Sequence, residues 1–255
     1  MRFASLGSGS RGNALVVEAG RTSVMLDCGF GINETVLRLS RLDLQPTDLS
    51  AILVTHEHTD HVGGVARVAR KFNLPVWMTH GTFKGLGENS LSGVALNLID
   101  DHSQFIIGDL HIQPYPVPHD AREPAQYVFG DGARRLGVLT DAGAATPHIE
   151  EVLAGCEALV LESNHDAVML QNGPYPPMLK KRVAGRFGHL DNQAAAQLLA
   201  RLVHGKLQHV VAAHLSEKNN TEELVLEAFC EVLNCAREWV GIAAQDGGLG
   251  WRHIN

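Results

Sequence analysis

Residues Thr55-His56-Glu57-His58-Thr59-Asp60-His61-Val62-Gly63-Gly64 set three histidines and an aspartate within six positions, directly behind the apolar run Ala51-Ile52-Leu53-Val54. A short, almost wholly apolar run bounded by polar loops marks a strand buried on both faces, which belongs in a sheet covered on both sides. While the chain is still extended, His56 and His58 project to the same side, and Asp60 and His61 turn back from the loop. Three imidazoles and a carboxylate suit zinc or a similar first-row divalent ion. A merely solvated polar loop leaves this density of histidine unexplained.

Four neighbouring side chains on one loop cannot all serve one ion in good geometry, so partners must come from elsewhere. Three candidates stand at the ends of further strand-like runs. His119 follows Tyr115-Pro-Val-Pro118, Asp141 follows Leu139-Thr140, and His214 terminates His209-Val-Val-Ala-Ala213. Active-site residues of layered α/β folds gather at such strand ends.

The rest of the chain supports that class. Strands are expected at 15–18 and 23–27, a helix at 33–42 capped by Asn33 with Val36, Leu37 and Leu39 among its apolar positions, and a second helix at 64–72 before a strand at 75–78. A loop with a short helix is expected at 81–93. One strand is expected over 105–117, with others at 127–130, 136–140, 158–162 and 209–213. Helices are expected at 150–154, 191–204 and 221–239, with an ordered turn in the proline-rich 172–177. The alternation of strand and helix argues for a layered α/β architecture. No linker and no repeat interrupts it, so residues 1–255 read as one domain.

Composition narrows the function. The 255 residues carry 21 Lys+Arg against 28 Asp+Glu, a formal charge of -7, 45% hydrophobic residues and 14 histidines. Ordinary hydrophobic content disfavours disorder. Four cysteines cannot organise so long a chain as a disulfide scaffold, and reduced thiols are expected. The acidic balance disfavours a general nucleic-acid coat without excluding a local basic groove. The first residues lack the apolar core of an export signal, and no run approaches the ~18 residues needed to span a bilayer. A cytoplasmic protein with no membrane partner is expected; nothing indicates its oligomeric state.

The same residues resemble the metallo-β-lactamase-fold hydrolases over essentially the whole chain. Asp27 in VMLDCG, His119 in VPHD, Asp141 in LTDAG and His214 in AAHLS fall in family order after the first motif. The stretches LGSGSRGN (6–13), ESNHD (162–166), Gly-Pro-Tyr-Pro (173–176), GHLDN (188–192) and HLSEKNN (214–220) are similar to the YycJ-like (WalJ-like) branch. The resemblance implies a four-layer αβ/βα sandwich with a dinuclear site at one edge of its two sheets. It also implies phosphodiester hydrolysis, with 5′-to-3′ exonuclease action on DNA through a metal-bridging hydroxide. One ion would take His56, His58 and His119; the other would take Asp60, His61 and His214; Asp141 would bridge them. Two divalent ions are implied, zinc or manganese, with iron admissible. Asp60 would also orient the nucleophile.

Substrate contacts are less sharply marked. A basic cluster, Lys180, Lys181, Arg182 and Arg186, lies between ESNHD and GHLDN, and Lys180 and Arg182 are candidates for holding phosphates. Imidazole serves well near pH 7 for protonating a leaving oxygen, which makes His189, just before a helix cap, a catalytic candidate and His165 a second one. The glycine- and serine-rich 6–13 stretch lacks the lysine of a P-loop. Its resemblance to the family sets Ser8, Ser10 and Asn13 near the substrate. His80, His102, His111, His148, His204, His209 and His253 read as surface or packing residues. The competing readings are a hydrolase of a small cyclic phosphodiester, thioester or lactone, and, of another class, a metal-loaded regulatory or binding protein with little turnover.

Overall fold

The computed structural model describes residues 1–87 and 89–255; Glu88, inside the loop expected at 81–93, lies outside them. Six strands open the chain, β1 (Arg2–Gly7), β2 (Ala14–Ala19), β3 (Thr22–Leu26), β4 (Ala51–Leu53), β5 (Val76–Thr79) and β6 (Leu96–Ile99). The next seven are β7 (Phe105–Ile107), β8 (Leu110–Pro116), β9 (Ala125–Gly130), β10 (Arg135–Leu139), β11 (Ala158–Glu162), β12 (His209–Ala213) and β13 (Val240–Ile242). The last strand, β14 (Leu249–His253), returns to the first group. The result is two mixed seven-stranded sheets, ordered β14-β1-β2-β3-β4-β5-β6 and β13-β12-β11-β10-β9-β8-β7.

Alternation of side chains across each strand builds the layers. On β2, Leu15 and Val17 face the other sheet while Val16 faces outward. On β11, Ala158 and Val160 face inward while Leu159 and Leu161 face helices. Three separate apolar clusters follow. One lies between the sheets. The second lies under α1 (Ile32–Ser40), α3 (Val65–Phe72) and their neighbours α2 (Thr59–Val62) and α4 (His80–Leu86). The third lies under α5 (Pro147–Leu153), α8 (Asn192–Leu202) and α9 (Glu222–Leu233), while α6 (Ala167–Asn172) and α7 (Pro177–Val183) sit between α5 and α8 in the chain. Three interlayer cores define four layers, the αβ/βα sandwich expected.

Several local expectations are corrected. Helix α1 begins at Ile32 after Gly31, and Asn33 makes no cap. Its inward face is Thr35, Arg38 and Leu39, whereas Val36 and Leu37 are exposed. Arg38 can be buried because its guanidinium donates to Leu6 O (2.6 Å), Gln245 O (2.8 Å) and Glu34 (2.6 Å) and stacks on Phe30. The strand expected over 105–117 is a hairpin, β7 and β8, turned at Gly108 with its positive φ of 54°. The final helix stops at Leu233, because Asn234 adopts a left-handed conformation and returns its N–H to Cys230 O. Strands β1, β6, β13 and β14 were not expected; β1 runs into the glycine- and serine-rich 6–13 stretch, and the other three are short or flanked by glycine and polar residues. The four cysteines are free thiols.

Two close approaches lock the histidine loop to the strand-β3 exit. A Cβ on Gly29 would lie 1.9 Å from Asp60 O, and one on Gly64 would lie 1.8 Å from Phe30 O. Gly29→Ala is therefore expected to destabilise the fold by about 1–3 kcal/mol through forced backbone displacement. Gly205→Ala, with nothing within 4 Å of the added carbon, serves as the neutral comparison. Thermal unfolding of both variants checks this, and equal melting temperatures would contradict it.

Candidate metal centre

The parallel strands β3, β4, β10, β11 and β12 end along one edge, and the polar side chains that follow them converge there. Asp27, Asp141 and His214 come immediately or almost immediately after β3, β10 and β12. All three adopt the left-handed backbone conformation, with φ of 59°, 55° and 57°. Non-glycine residues seldom do so, and each such residue costs on the order of 1–3 kcal/mol. The sharp turn throws each side chain inward over the sheet edge.

Two clusters of ligand-type atoms form on that edge. In the first, His58 Nδ1 lies 3.0 Å from His56 Nε2 and 3.2 Å from His119 Nε2. In the second, Asp60 Oδ2 lies 3.5 Å from His61 Nε2 and 3.4 Å from His214 Nε2. Asp141 stands between them, with Oδ2 3.1 Å from His61 Nε2 and Oδ1 3.9 Å from His119 Nε2. Ligands about 2.0–2.1 Å from a tetrahedral zinc are separated from one another by roughly 3.3 Å, so these spacings suit one ion in each cluster. Asp141 Oδ2 is buried without a hydrogen-bond partner despite its neighbour, as an atom directed at a cation would be.

The far side of the imidazoles fixes their orientation. His119 Nδ1–H donates to Gly188 O (3.0 Å), and His61 Nδ1–H donates to Asp27 Oδ2 (2.7 Å). Both acceptors lack a proton, so in the neutral ring that a metal would require, the Nε2 lone pair faces the cluster. His214 Nδ1 lies 3.3 Å from Glu162 Oε1 and presents Nε2 to Asp60 in the same manner. Asp27 is itself held by Thr55 N (2.8 Å) and the Thr55 hydroxyl.

Buried charge is balanced within the group. Burial pushes His214 down, but the carboxylates of Asp141, Asp60 and Glu162 outweigh it and raise its pKa to about 10. His61 is likewise raised by Asp141 and Asp27 against burial. Burial and the neighbouring imidazoles push His56 well below the ordinary range. Burial would raise Asp60 and Asp141, yet the facing histidines hold both low.

The seven expected ligands, His56, His58, Asp60, His61, His119, Asp141 and His214, thus all meet at this edge. Four of them, His58, Asp60, Asp141 and His214, line a cleft of about 390 Å³ together with His189, Ser10, Asn164, Tyr175 and Arg182. Other candidates point elsewhere. Ser8 and Asn13 are buried behind the second cluster. Ser8 Oγ accepts from His214 N (2.9 Å) and donates to Asn13 Oδ1 (3.0 Å), and Asn13 Nδ2 faces Asp60 Oδ2 (3.3 Å) and His61 Nε2 (3.2 Å). His165 is buried and lines no part of the cleft, and Lys180 turns to Gln171 O (2.7 Å).

Two residues escaped the sequence reading. Glu162 is fully buried: Oε1 accepts from His189 Nδ1 (2.7 Å), and Oε2 accepts from Ala142 N (2.9 Å) and Leu190 N (3.1 Å). With both oxygens engaged it orients imidazoles and has little left to offer an ion. An acid closing the apolar run 158–161 was its signal, the same one that marked His214. Asp120, 3.5 Å from His119 Nε2, pairs with Arg182 Nε at 2.5 Å and had no signal beyond following a candidate ligand.

Removing the Asn13 amide is expected to weaken metal binding at the Asp60 cluster about 10–100-fold, since groups that orient ligands contribute on that scale. Competition of Asn13→Ala with a chromogenic chelator measures this, and wild-type affinity would contradict it. Proton linkage gives a second expectation. In protein stripped of metal, the protonated His214 adds stability below pH 6.5 that is lost as pH rises through about 10. Metal must displace that proton, so affinity should rise with pH between 7 and 9, by about tenfold per unit for each proton released. Calorimetry in buffers of different ionisation enthalpy should detect the release; a pH-independent affinity would contradict it.

Comparison with known proteins places the chain. A β-lactamase superfamily domain matches residues 22–214. The chain is 35% identical over 238 residues to the exodeoxyribonuclease YycJ of Bacillus anthracis, covering 91% of this chain and 89% of that protein. It is 30% identical over 249 residues to the exodeoxyribonuclease WalJ of Streptococcus pneumoniae, covering 94% and 91%. The metallo-β-lactamase fold protein YhfI of Bacillus subtilis shares the fold at a TM-score of 0.76 and 14% identity, covering 98% of both chains. Divalent metal binding follows from this fold together with the clustered ligands. The chain belongs to the β-lactamase superfamily and, within it, to the YycJ/WalJ-like branch of metal-dependent hydrolases.

Proposed function

We propose that the chain is a DNA exonuclease, acting 5′ to 3′ and cytoplasmic, in which residues 1–255 work as one domain around two divalent ions, zinc or manganese. The observation that carries the reading is the cleft, which brings both ligand clusters, a carboxylate-held imidazole and a cationic side chain to one mouth. The relatives' activity toward DNA supports the choice of substrate. Among the described residues no helix is long and apolar enough to cross a membrane.

His56, His58 and His119 would hold one ion and Asp60, His61 and His214 the other, with Asp141 shared. Divalent ions so held polarise a phosphoryl oxygen and make water a competent nucleophile near neutral pH. Arg182 stands at the mouth, steadied by Asp120, where a phosphate of the substrate can meet its guanidinium. Asp60, at the cleft floor, orients the attacking water. His189 supplies the proton to the departing 3′ oxygen. Its Nδ1–H is fixed on Glu162, which leaves Nε2 for substrate. Burial lowers its pKa, but Glu162 and Asp141 outweigh burial and raise it, which favours the acid form.

His189→Ala should lower turnover of DNA about 10²–10⁴-fold. It should do much less to bis(4-nitrophenyl) phosphate, whose leaving group departs without a proton. Equal losses on the two substrates would remove His189 as the acid. Chelation, or Asp60→Ala, should abolish cleavage of both. A 5′- and 3′-labelled strand pair reads polarity. No turnover of any phosphodiester at full metal loading would overturn the reading.

A further inference from the structure

Residues 167–187 contain three of the four most exposed large apolar side chains of the described surface, Met178 (87%), Val168 (64%) and Phe187 (54%). Helix α7 buries none of its residues. Their gathering within one short segment makes it a candidate contact face. The same segment, from Ala167 to Leu190, carries Lys180, Lys181, Arg182 and Arg186 and no acidic residue, in a chain of net charge -7. Its inner side is part of the cleft wall, through Tyr175, Leu179, Arg182 and Val183.

The segment is held against the centre. Arg182 pairs with Asp120, Gly188 O receives His119, and a Cβ on Gly143 would lie 2.3 Å from Arg186 O. The outer surface therefore continues from the cleft at a fixed distance. It interleaves cations with flat or flexible apolar groups: Arg186 lies 5.8 Å from the Phe187 ring and Lys218 5.9 Å from the Tyr175 ring. Basic groups set among exposed aromatic and thioether side chains suit a single nucleic-acid strand, whose phosphates take the charges and whose unpaired bases stack. The concentration of one sign of charge, lysines included, weighs against a protein partner, because the cores of protein interfaces are depleted in charged residues and in Lys.

We infer that residues 175–187 form a strand-guiding platform that binds the unpaired DNA leading away from the cleft, with Phe187 stacking a base and Lys181 and Arg186 holding phosphates. This rests on the nuclease reading and adds that the strand is single where it meets the protein. Stacking and charge separate experimentally. The holoenzyme is titrated with a fluorescent phosphorothioate DNA 12-mer over a range of salt concentrations. Phe187→Ala should weaken binding roughly five- to hundredfold with the salt dependence intact. Lys181→Ala/Arg186→Ala should weaken it too and reduce the slope of log K against log salt by about 1.4, two phosphate contacts at about 0.7 each. Both losses should be far smaller for a dinucleotide, which is too short to reach the platform.

If the wild type cleaves DNA but the variants bind the 12-mer as it does, the platform falls and the nuclease reading stands. Losses of the same size on 12-mer and dinucleotide would also overturn the platform, since the segment would then act on the cleft itself. If the wild type neither binds nor cleaves DNA, the nuclease reading falls and takes the platform with it.

Discussion

Holding imidazoles and carboxylates with their lone pairs turned toward one another is the demand around which this fold is organised. His58 Nδ1 lies within hydrogen-bond distance of both His56 Nε2 (3.0 Å) and His119 Nε2 (3.2 Å) but carries at most one proton, and a buried Asp141 oxygen has no hydrogen-bond partner, arrangements that leave lone pairs unanswered. They become favourable together when a divalent cation accepts the lone pairs. Everything around them serves to prevent relaxation toward solvent or toward mutual hydrogen bonds.

The restraint comes from two sources. Backbone geometry is one: Asp27, Asp141 and His214 are held in left-handed conformations at the ends of buried parallel strands, where the sheets leave little freedom. The other is a ring of fixed acceptors. Asp27, Glu162 and Gly188 O take the outward N–H of His61, His189 and His119, and so determine which nitrogen is left inward. The glycine-rich loop 6–13 belongs to this support. Instead of cradling a phosphate, its Ser8 and Asn13 reach from behind to His214 and Asp60. Arg38, buried and bonded to Leu6 O and Gln245 O, ties that loop to the C-terminal segment and so links both chain ends to the centre.

Much of this was legible in the order of residues. Strands buried on both faces announce themselves as apolar runs, and a histidine or aspartate just past such a run has few places to go except the sheet edge. That logic located His56, Asp141 and His214 and the layered class. It was equally applicable to Glu162, which closes the apolar run 158–161 just before the polar Ser163-Asn164-His165-Asp166, where the nearby His165 is the more conspicuous candidate. Orientation was not legible. Whether Ser8, Asn13 or His165 faces substrate or protein depends on turns that bring residues 8 and 214 together, which local sequence does not encode. The hairpin at Gly108 and the edge strands β6, β13 and β14 were hidden for a related reason, because short edge strands are stabilised by their neighbours more than by their own pattern.

In the proposed arrangement one ion sits among His56, His58 and His119 and a second among Asp60, His61 and His214, with Asp141 common to both. Anomalous diffraction at the absorption edge of the metal carried by the purified protein tests it most directly. The account predicts two peaks at this sheet edge, one in each ligand set. A single ion, or an ion bound instead by Glu162, His189 and His214, would contradict it.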